Sequence, residues 1–313
     1  MNIQIKELIE REFSANVIKE EKINEGFSHH MYSVEIDREP FSVIIRFLNS
    51  KDEKFDLSKE EFIITKLKET GLPVPKIYAF NERDSYMILE KFKGIRLDTI
   101  WDSLSKEEKI RITKKLGEIL TKVHQINLED FGYILAGGKI KKEIKYKFKP
   151  KGEEIKSSNF LKHVLSAFFE DVSLLASYPN ISKEFLMKVC SYVLSRVNSL
   201  DYTGKPTLIH NDFMIGHVFV EKINNEYEIT GIIDFEFAES SDPEYEFIKL
   251  HRQGFFDDQD LKNALEEGYG RKIDEEKVRS FRLLRDFSLA RVILDSGDRE
   301  HCNKILKEID QRI

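Results

Sequence analysis

The chain has 313 residues, more than one hydrophobic core usually supports, so two lobes are expected. With 41% hydrophobic and 34% charged residues, and only 15 Gly and 7 Pro, it is not a disordered, collagen-like or low-complexity protein. The 50 basic and 56 acidic residues leave a net charge of −6, which argues against nucleic acid as the main partner because phosphate binding needs a basic excess.

No apolar run approaches the roughly 18 residues of a membrane span, and the opening MNIQIKELIEREF lacks the basic start and apolar centre of a signal peptide. A cytoplasmic protein with no membrane partner is expected. Cys190 and Cys302 follow no metal or redox spacing and read as inert thiols. Residues 1–22 read as a helix, since Ile5, Leu8, Ile9, Phe13 and Val17 recur at helical spacing. From Ile23 to Phe47 two strand-like runs flank the turn DREP. LSKEEFIITKLKET is a second helix, stopped by Gly71. LPVPKIYAF must be extended around its prolines, and SYMILEKF follows as a buried strand.

After Gly94 the pattern turns helical, beginning with KEEKIRITKKLGEILTKVHQI, and it resumes over 157–200 and 258–313. The division expected is therefore 1–93 against 94–313. Residues 207–237 form a sheet-like island. Charge is unevenly spread: residues 139–156 hold eight Lys against three Glu, whereas 234–268 hold eleven acidic residues against three basic. A solvated face explains either run, although an acidic face also suits a cationic ligand.

Within the island, HVFVEK and EYEITGIID read as a hairpin turning at Asn224 and Asn225. Folding about that turn brings His217 and Asp234 to the same open end, with Asp212 five residues upstream of His217. Two carboxylates and an imidazole at a strand mouth suit a metal site, a general base working with a metal, or a buried hydrogen-bond network. His210 reads as a brace for the loop.

HNDFMIGHVFV followed by GIIDFEFAESSDPEYEF resembles the two signature loops of the aminoglycoside phosphotransferase family, whose fold is similar to that of protein kinases. The family pattern is His-Gly-Asp with an Asn five residues after the Asp. His217 in that fifth position resembles the aminoglycoside 2''-phosphotransferases most closely and the macrolide phosphotransferases next. The resemblance implies an α+β, bilobal fold: an N-terminal antiparallel nucleotide-binding sheet with one main helix, and a larger, mainly helical C-terminal lobe with the acceptor-binding subdomain.

Residue by residue, the resemblance implies Asp212 as the catalytic group, with His217 and Asp234 on Mg²⁺. It implies Gly26, Phe27 and Ser28 in the nucleotide loop, Arg46 on phosphate with Glu60 or Glu61 as its partner, and Glu90 and Phe92 at the nucleobase. Asp242, before Pro243, caps a helix. The activity implied is transfer of the γ-phosphoryl group of ATP or GTP to a small-molecule hydroxyl, on an aminoglycoside antibiotic, as a resistance kinase, or on a macrolide or other metabolite. A monomer acting on a cationic acceptor is expected, with Glu239, Asp257 and Asp258 as its contacts. Two departures stand out: the metal loop reads Asp-Phe-Glu, and HRQGFFDDQD places Arg252 and two phenylalanines where the 2''-phosphotransferases have an acidic stretch. Readings from other classes are a metal-dependent hydrolase built on His210, Asp212, His217 and Asp234, or a nucleotide-binding pseudokinase.

Overall fold

The structure, a computed structural model, describes residues 3–23, 29–49, 56–141 and 159–313. Gly26, Phe27 and Ser28, and most of the Lys-rich 139–156 segment, lie outside the described residues. Helix α1 (Ile3–Phe13) buries Ile5, Leu8 and Ile9, each contributing roughly 1.5–3 kcal/mol of apolar burial. The helix expected over 1–22 ends early. Ser14 turns at φ 50°, both the backbone amide and the side-chain amide of Asn16 bond to Asp37, and the chain enters strand β1 (Val17–Ile23). Val17 fits both patterns, and its burial on the sheet decides for the strand.

Strands β2 (His29–Ile36) and β3 (Ser42–Leu48) form the expected hairpin. Helix α2 (Leu57–Glu69) follows, then β4 (Ile77–Asn81) and β5 (Tyr86–Glu90). The five strands make one antiparallel sheet in the order β1-β2-β3-β5-β4, with Arg46 of β3 opposite Met31 and Met87. Gly94, at φ +90°, leads into β6 (Ile95–Arg96), where any Cβ would meet the Val220 carbonyl oxygen at 2.5 Å. Only glycine allows this approach.

Short α3 (Leu97–Ile100) precedes α4 (Lys106–His124), which starts with a capping box between Ser105 and Glu108. Strands β7 (Gly132–Ile134) and β8 (Ile140–Lys141) come next, then helices α5 (Asn159–Leu175), α6 (Lys183–Leu194) and α7 (Val197–Leu200). The 207–237 island divides between two sheets. Strand β9 (Thr207–Ile209) lies in a four-stranded sheet with β7, β8 and the strand at Glu239–Ser241, with which it pairs, whereas β10 (Val218–Ile223) and β11 (Glu226–Ile232) form a hairpin joined by β6. Asn224 and Asn225 both have positive φ, as a two-residue turn of this kind requires.

Strand β12 (Glu239–Ser241) leads through a 3-10 turn into α8 (Ile248–Arg252), and α9 (Gln259–Tyr269), α10 (Glu275–Asp295) and α11 (Arg299–Asp310) complete the chain. One large apolar cluster runs from α2 and β5 through α4, β10 and α9, and a second joins α5, α6, α10 and α11. Among the described residues, no helix is long and apolar enough to cross a membrane.

Candidate functional site

The loop after β9 is held from beneath. Glu246, fully buried, accepts the backbone N–H of His210 at 2.5 Å and of Asn211 at 3.0 Å. Asn211 takes φ 62° and its side-chain amide donates to the Phe237 carbonyl at 3.1 Å. The His210 ring bridges two loops, with Nε2 3.0 Å from the Ile233 carbonyl and Nδ1 3.3 Å from the Asp212 N–H. This pattern requires the neutral ring protonated on Nε2, and burial pushes its pKa down accordingly. His210 is thus a brace, and Asp212 emerges from the braced loop with its carboxylate paired to Lys249.

The β10–β11 hairpin brings His217 and Asp234 together as its symmetry predicts. The Ile233 N–H donates to the His217 carbonyl at 3.0 Å, and His217 Nε2 stands 3.7 Å from Asp234 Oδ2. His217 Nδ1 lies 2.9 Å from the Asp212 carbonyl oxygen, which can only accept, so Nδ1 carries the proton and Nε2 is left with a lone pair. Asp234 sits at φ 71°, a left-handed conformation rare for a residue with a Cβ, and its Oδ1 is buried with no hydrogen-bond partner.

The Asp234 carboxylate, with Oδ1 lacking a hydrogen bond and Oδ2 beside the His217 imidazole, could hold a divalent cation. Among the described residues no group of three or more His, Cys, Asp or Glu forms a metal cage. A hard cation such as Mg²⁺ takes one or two protein ligands, and the Asp234 carboxylate is the oxygen ligand available here.

Arg46 is the second centre. Buried at 5% exposure, its Nη1 donates to Glu60 Oε1 at 2.6 Å, while Nη2 lies 3.0 Å from His29 Nδ1, 3.5 Å from Glu236 Oε2 and 3.7 Å from Asp234 Oδ1. Burial opposes its charge, but Glu60, Asp234 and Glu236 together raise its pKa. Glu60 is therefore the acid beside Arg46; Glu61 turns away and accepts from Thr65. Glu236, the acid of the Asp-Phe-Glu loop, accepts from Arg46, while its backbone carbonyl accepts from Lys59 at 2.5 Å.

Glu90 ends β5, its backbone N–H donating to the Lys76 carbonyl and its carboxylate accepting the Lys76 N–H at 3.0 Å. The Phe92 ring covers Gly231 and meets Phe219 at 5.8 Å between centroids. Glu239 is buried in β12. Asp258 is the N-cap of α9, accepting from the Asp260 and Leu261 amides, and Asp257 is exposed before it. Asp242 caps the 3-10 turn and pairs with Lys277; burial raises its pKa to about 7.

Sequence reasoning missed His29, Glu236, Glu246 and Lys249. Glu246 stands four residues after the capping Asp242, which is the one local signal available; Lys249 meets Asp212 only through the folding of α8 beneath the loop.

A profile of the phosphotransferase enzyme family, APH, matches residues 19–281. The chain belongs to this family. Its fold is the protein-kinase-like fold of the aminoglycoside kinases. A point mutant of aminoglycoside 2'-phosphotransferase IIIa in complex with GDP is similar at a TM-score of 0.70 and 19% identity, over 99% of this chain and 97% of that one. The streptomycin–ATP ternary complex of APH(2'')-IIa is similar at 0.66 and 17% identity, over 99% and 96%. Among curated proteins, the KEOPS complex subunit Bud32 of Pyrococcus abyssi is 25% identical over 70 residues, 22% of this chain, and the match spans only 32% of that relative's length.

Proposed function

We propose that this family member transfers the γ-phosphoryl group of ATP or GTP to a hydroxyl of a small molecule. The observation that carries the reading is a string of close contacts from the buried cation to the candidate base. Arg46 Nη2 is 3.7 Å from Asp234 Oδ1, Asp234 Oδ2 is 3.7 Å from His217 Nε2, and His217 Nδ1 is 3.6 Å from Asp212 Oδ2. Phosphoryl transfer depends mainly on in-line positioning and charge neutralisation, and this string offers groups for both.

In this reading the nucleotide lies between 1–93 and 94–313. The Glu90 carbonyl and Phe92 amide hold its base, Gly26, Phe27 and Ser28 cover its phosphates, and Arg46, fixed by Glu60, binds phosphate oxygens. Asp234 and His217 would hold Mg²⁺, which would supply charge neutralisation to the phosphates. Asp212 orients the acceptor hydroxyl and takes its proton; Lys249 holds the carboxylate in place. One structural neighbour is a complex with streptomycin and ATP, so aminoglycosides belong in the acceptor screen beside macrolides and other hydroxylated metabolites.

The test is Asp212→Ala. Nucleotide binding and the unfolding midpoint should be retained, while acceptor-dependent release of ADP or GDP falls by about a thousandfold or more. Turnover equal to the parent's would remove Asp212 from the chemistry, and turnover without any nucleoside triphosphate would favour a hydrolase.

A further inference from the structure

The 234–268 segment is acidic by composition, but most of its carboxylates are engaged in ion pairs or caps, some buried and some at the surface. Asp242 pairs with Lys277, Glu244 with Arg271, Glu266 with Lys272, Glu267 with Lys114 and Asp260 with Lys106. Glu246 caps the 210–212 loop, Asp258 caps α9 and Glu236 reaches Arg46. Many of the carboxylates expected to meet a cationic acceptor therefore already have partners within the chain.

Cations gather instead around α8, the helix whose Lys249 pairs with Asp212. Helix α8 is pinned to the Asp212 loop at two points, by the Lys249–Asp212 ion pair and by Gln253 Oε1, which accepts the Ile215 N–H at 3.3 Å. Arg252 lies between these pins, three residues after Lys249 and so one helical turn along the same face. There it meets Asp286 of α10, a buried carboxylate that also receives Arg312 Nη2 at 2.7 Å and lies 3.6 Å from Arg282 Nε. Three guanidiniums thus share one buried carboxylate, with Asp257 exposed nearby. Burial, and then the proximity of Arg312 and Arg252, lower the pKa of Arg282 despite Asp286.

The unused hydrogen-bonding groups of the cluster are donors. Arg282 Nη1 donates to His251 Nδ1 at 2.9 Å, which puts the imidazole proton on Nε2. His251 is 9% exposed, and its Nε2 is buried with no partner; Arg282 Nε is also without a hydrogen-bond partner among the described residues. A buried imidazole N–H without an acceptor, beside three guanidiniums that share one carboxylate, matches a ligand that only accepts hydrogen bonds.

We propose that the acceptor hydroxyl belongs to an anionic compound whose phosphate or carboxylate group seats on Arg252, Arg282, Arg312 and His251, one turn of α8 from the Lys249 that pairs with Asp212. This assignment rests on the phosphotransferase reading, whereas the anion site itself does not.

Two measurements test it. In the first, inorganic phosphate is titrated at constant ionic strength by calorimetry. Binding is expected in the parent, weakened by about tenfold or more in Arg252→Gln and Arg282→Gln, as loss of a charge-assisted hydrogen bond implies, and unchanged in the surface control Lys188→Gln. No binding by the folded parent, or equal binding by the parent and both cluster variants, would overturn the site. In the second, turnover with ATP and GTP is compared across sugar phosphates, hydroxycarboxylates, their uncharged counterparts and aminoglycosides. The anionic acceptors should lead by about tenfold or more in kcat/KM, with Arg252→Gln raising KM for them while kcat stays within about threefold. Sugar phosphates against hydroxycarboxylates separate the two anion types. Equal or better turnover of uncharged or cationic acceptors would overturn the acceptor assignment alone. Absence of turnover with every acceptor, alongside phosphate binding that Arg252→Gln abolishes, would overturn the phosphotransferase reading and the acceptor assignment while leaving the anion site.

Discussion

Replacing Glu246 by Ala should be the most damaging single change near the site that touches no substrate. The Glu246 carboxylate accepts two backbone N–H groups, from His210 at 2.5 Å and Asn211 at 3.0 Å, and stands 3.5 Å from His124 Nε2. Its side chain is fully buried, so water cannot replace it without opening the loop. Truncation leaves two buried donors unsatisfied at about 1–3 kcal/mol each, and vacates the volume of the side chain. A loss of about 3–5 kcal/mol follows. Glu246→Gln keeps one acceptor oxygen but turns an NH₂ toward the other donor, and should lose about half as much. Urea unfolding monitored by fluorescence measures both, with an unchanged slope required for the comparison. If Glu246→Ala unfolds within about 1 kcal/mol of the parent, the two hydrogen bonds are not what holds the loop. A second readout follows from geometry: Asn211 keeps φ 62° only while the surrounding bonds impose it, so turnover should fall in Glu246→Gln even under conditions where the variant is fully folded.

Arg46→Met leaves Glu60 and Glu236 buried beside each other without their cation, and should cost about 3–5 kcal/mol by chemical denaturation while weakening nucleotide binding. A variant as stable as the parent would mean that the carboxylates find another partner. Gly268→Ala should lower the thermal midpoint by several degrees, because its Cβ would sit 1.8 Å from the Lys114 carbonyl oxygen where α9 crosses α4; overpacking of this kind costs about 1–3 kcal/mol. Retention of the parent midpoint would show that the two helices separate freely. His251, held neutral by burial and by Arg282 and Arg279, has its pKa lowered to about 4. Between there and the ordinary value near 6.5 the unfolded chain binds the extra proton, so the stability this histidine contributes is present above about pH 6.5 and lost as pH falls through about 4. The stability difference between parent and His251→Gln should therefore shift by about 2 kcal/mol against the parent from pH 7 to pH 4, after allowance for solvent screening. A difference independent of pH would mean the ring protonates in place.

Local patterns carried much of the architecture. The two asparagines of the β10–β11 turn place His217 and Asp234 at one end because an antiparallel hairpin pairs residues symmetrically about its turn. Glu60 and Glu61, adjacent in sequence, were inseparable until the phase of α2 was known: Ile63, Ile64 and Leu67 turn one face inward, Glu60 lies on it and is 2% exposed, and Glu61 points about 100° away. At the N-terminus, helical spacing ran on past Phe13 because Val17 happens to fall in phase, and only pairing with β2 revealed the strand. Propensity over a few residues cannot outweigh a sheet edge that supplies partners for every other backbone group.

The chain by itself determined that Asp212, His217 and Asp234 meet at one end of the β10–β11 hairpin, since the loops are short and the groups are spaced by local geometry. It also determined that Arg46 would lie on a strand followed by a helix carrying its acid. What only the tertiary structure decided is the charge around α8, the helix that reaches Asp212. Composition made the 234–268 segment acidic, yet ion pairs with Lys106, Lys114, Arg271, Lys272 and Lys277 neutralise much of it, and Arg282 and Arg312 arrive from elements far along the chain to join Arg252 on Asp286. Electrostatic interactions act through space over several ångströms, so the field at a site is set by which elements pack around it and not by the order of charges along the backbone.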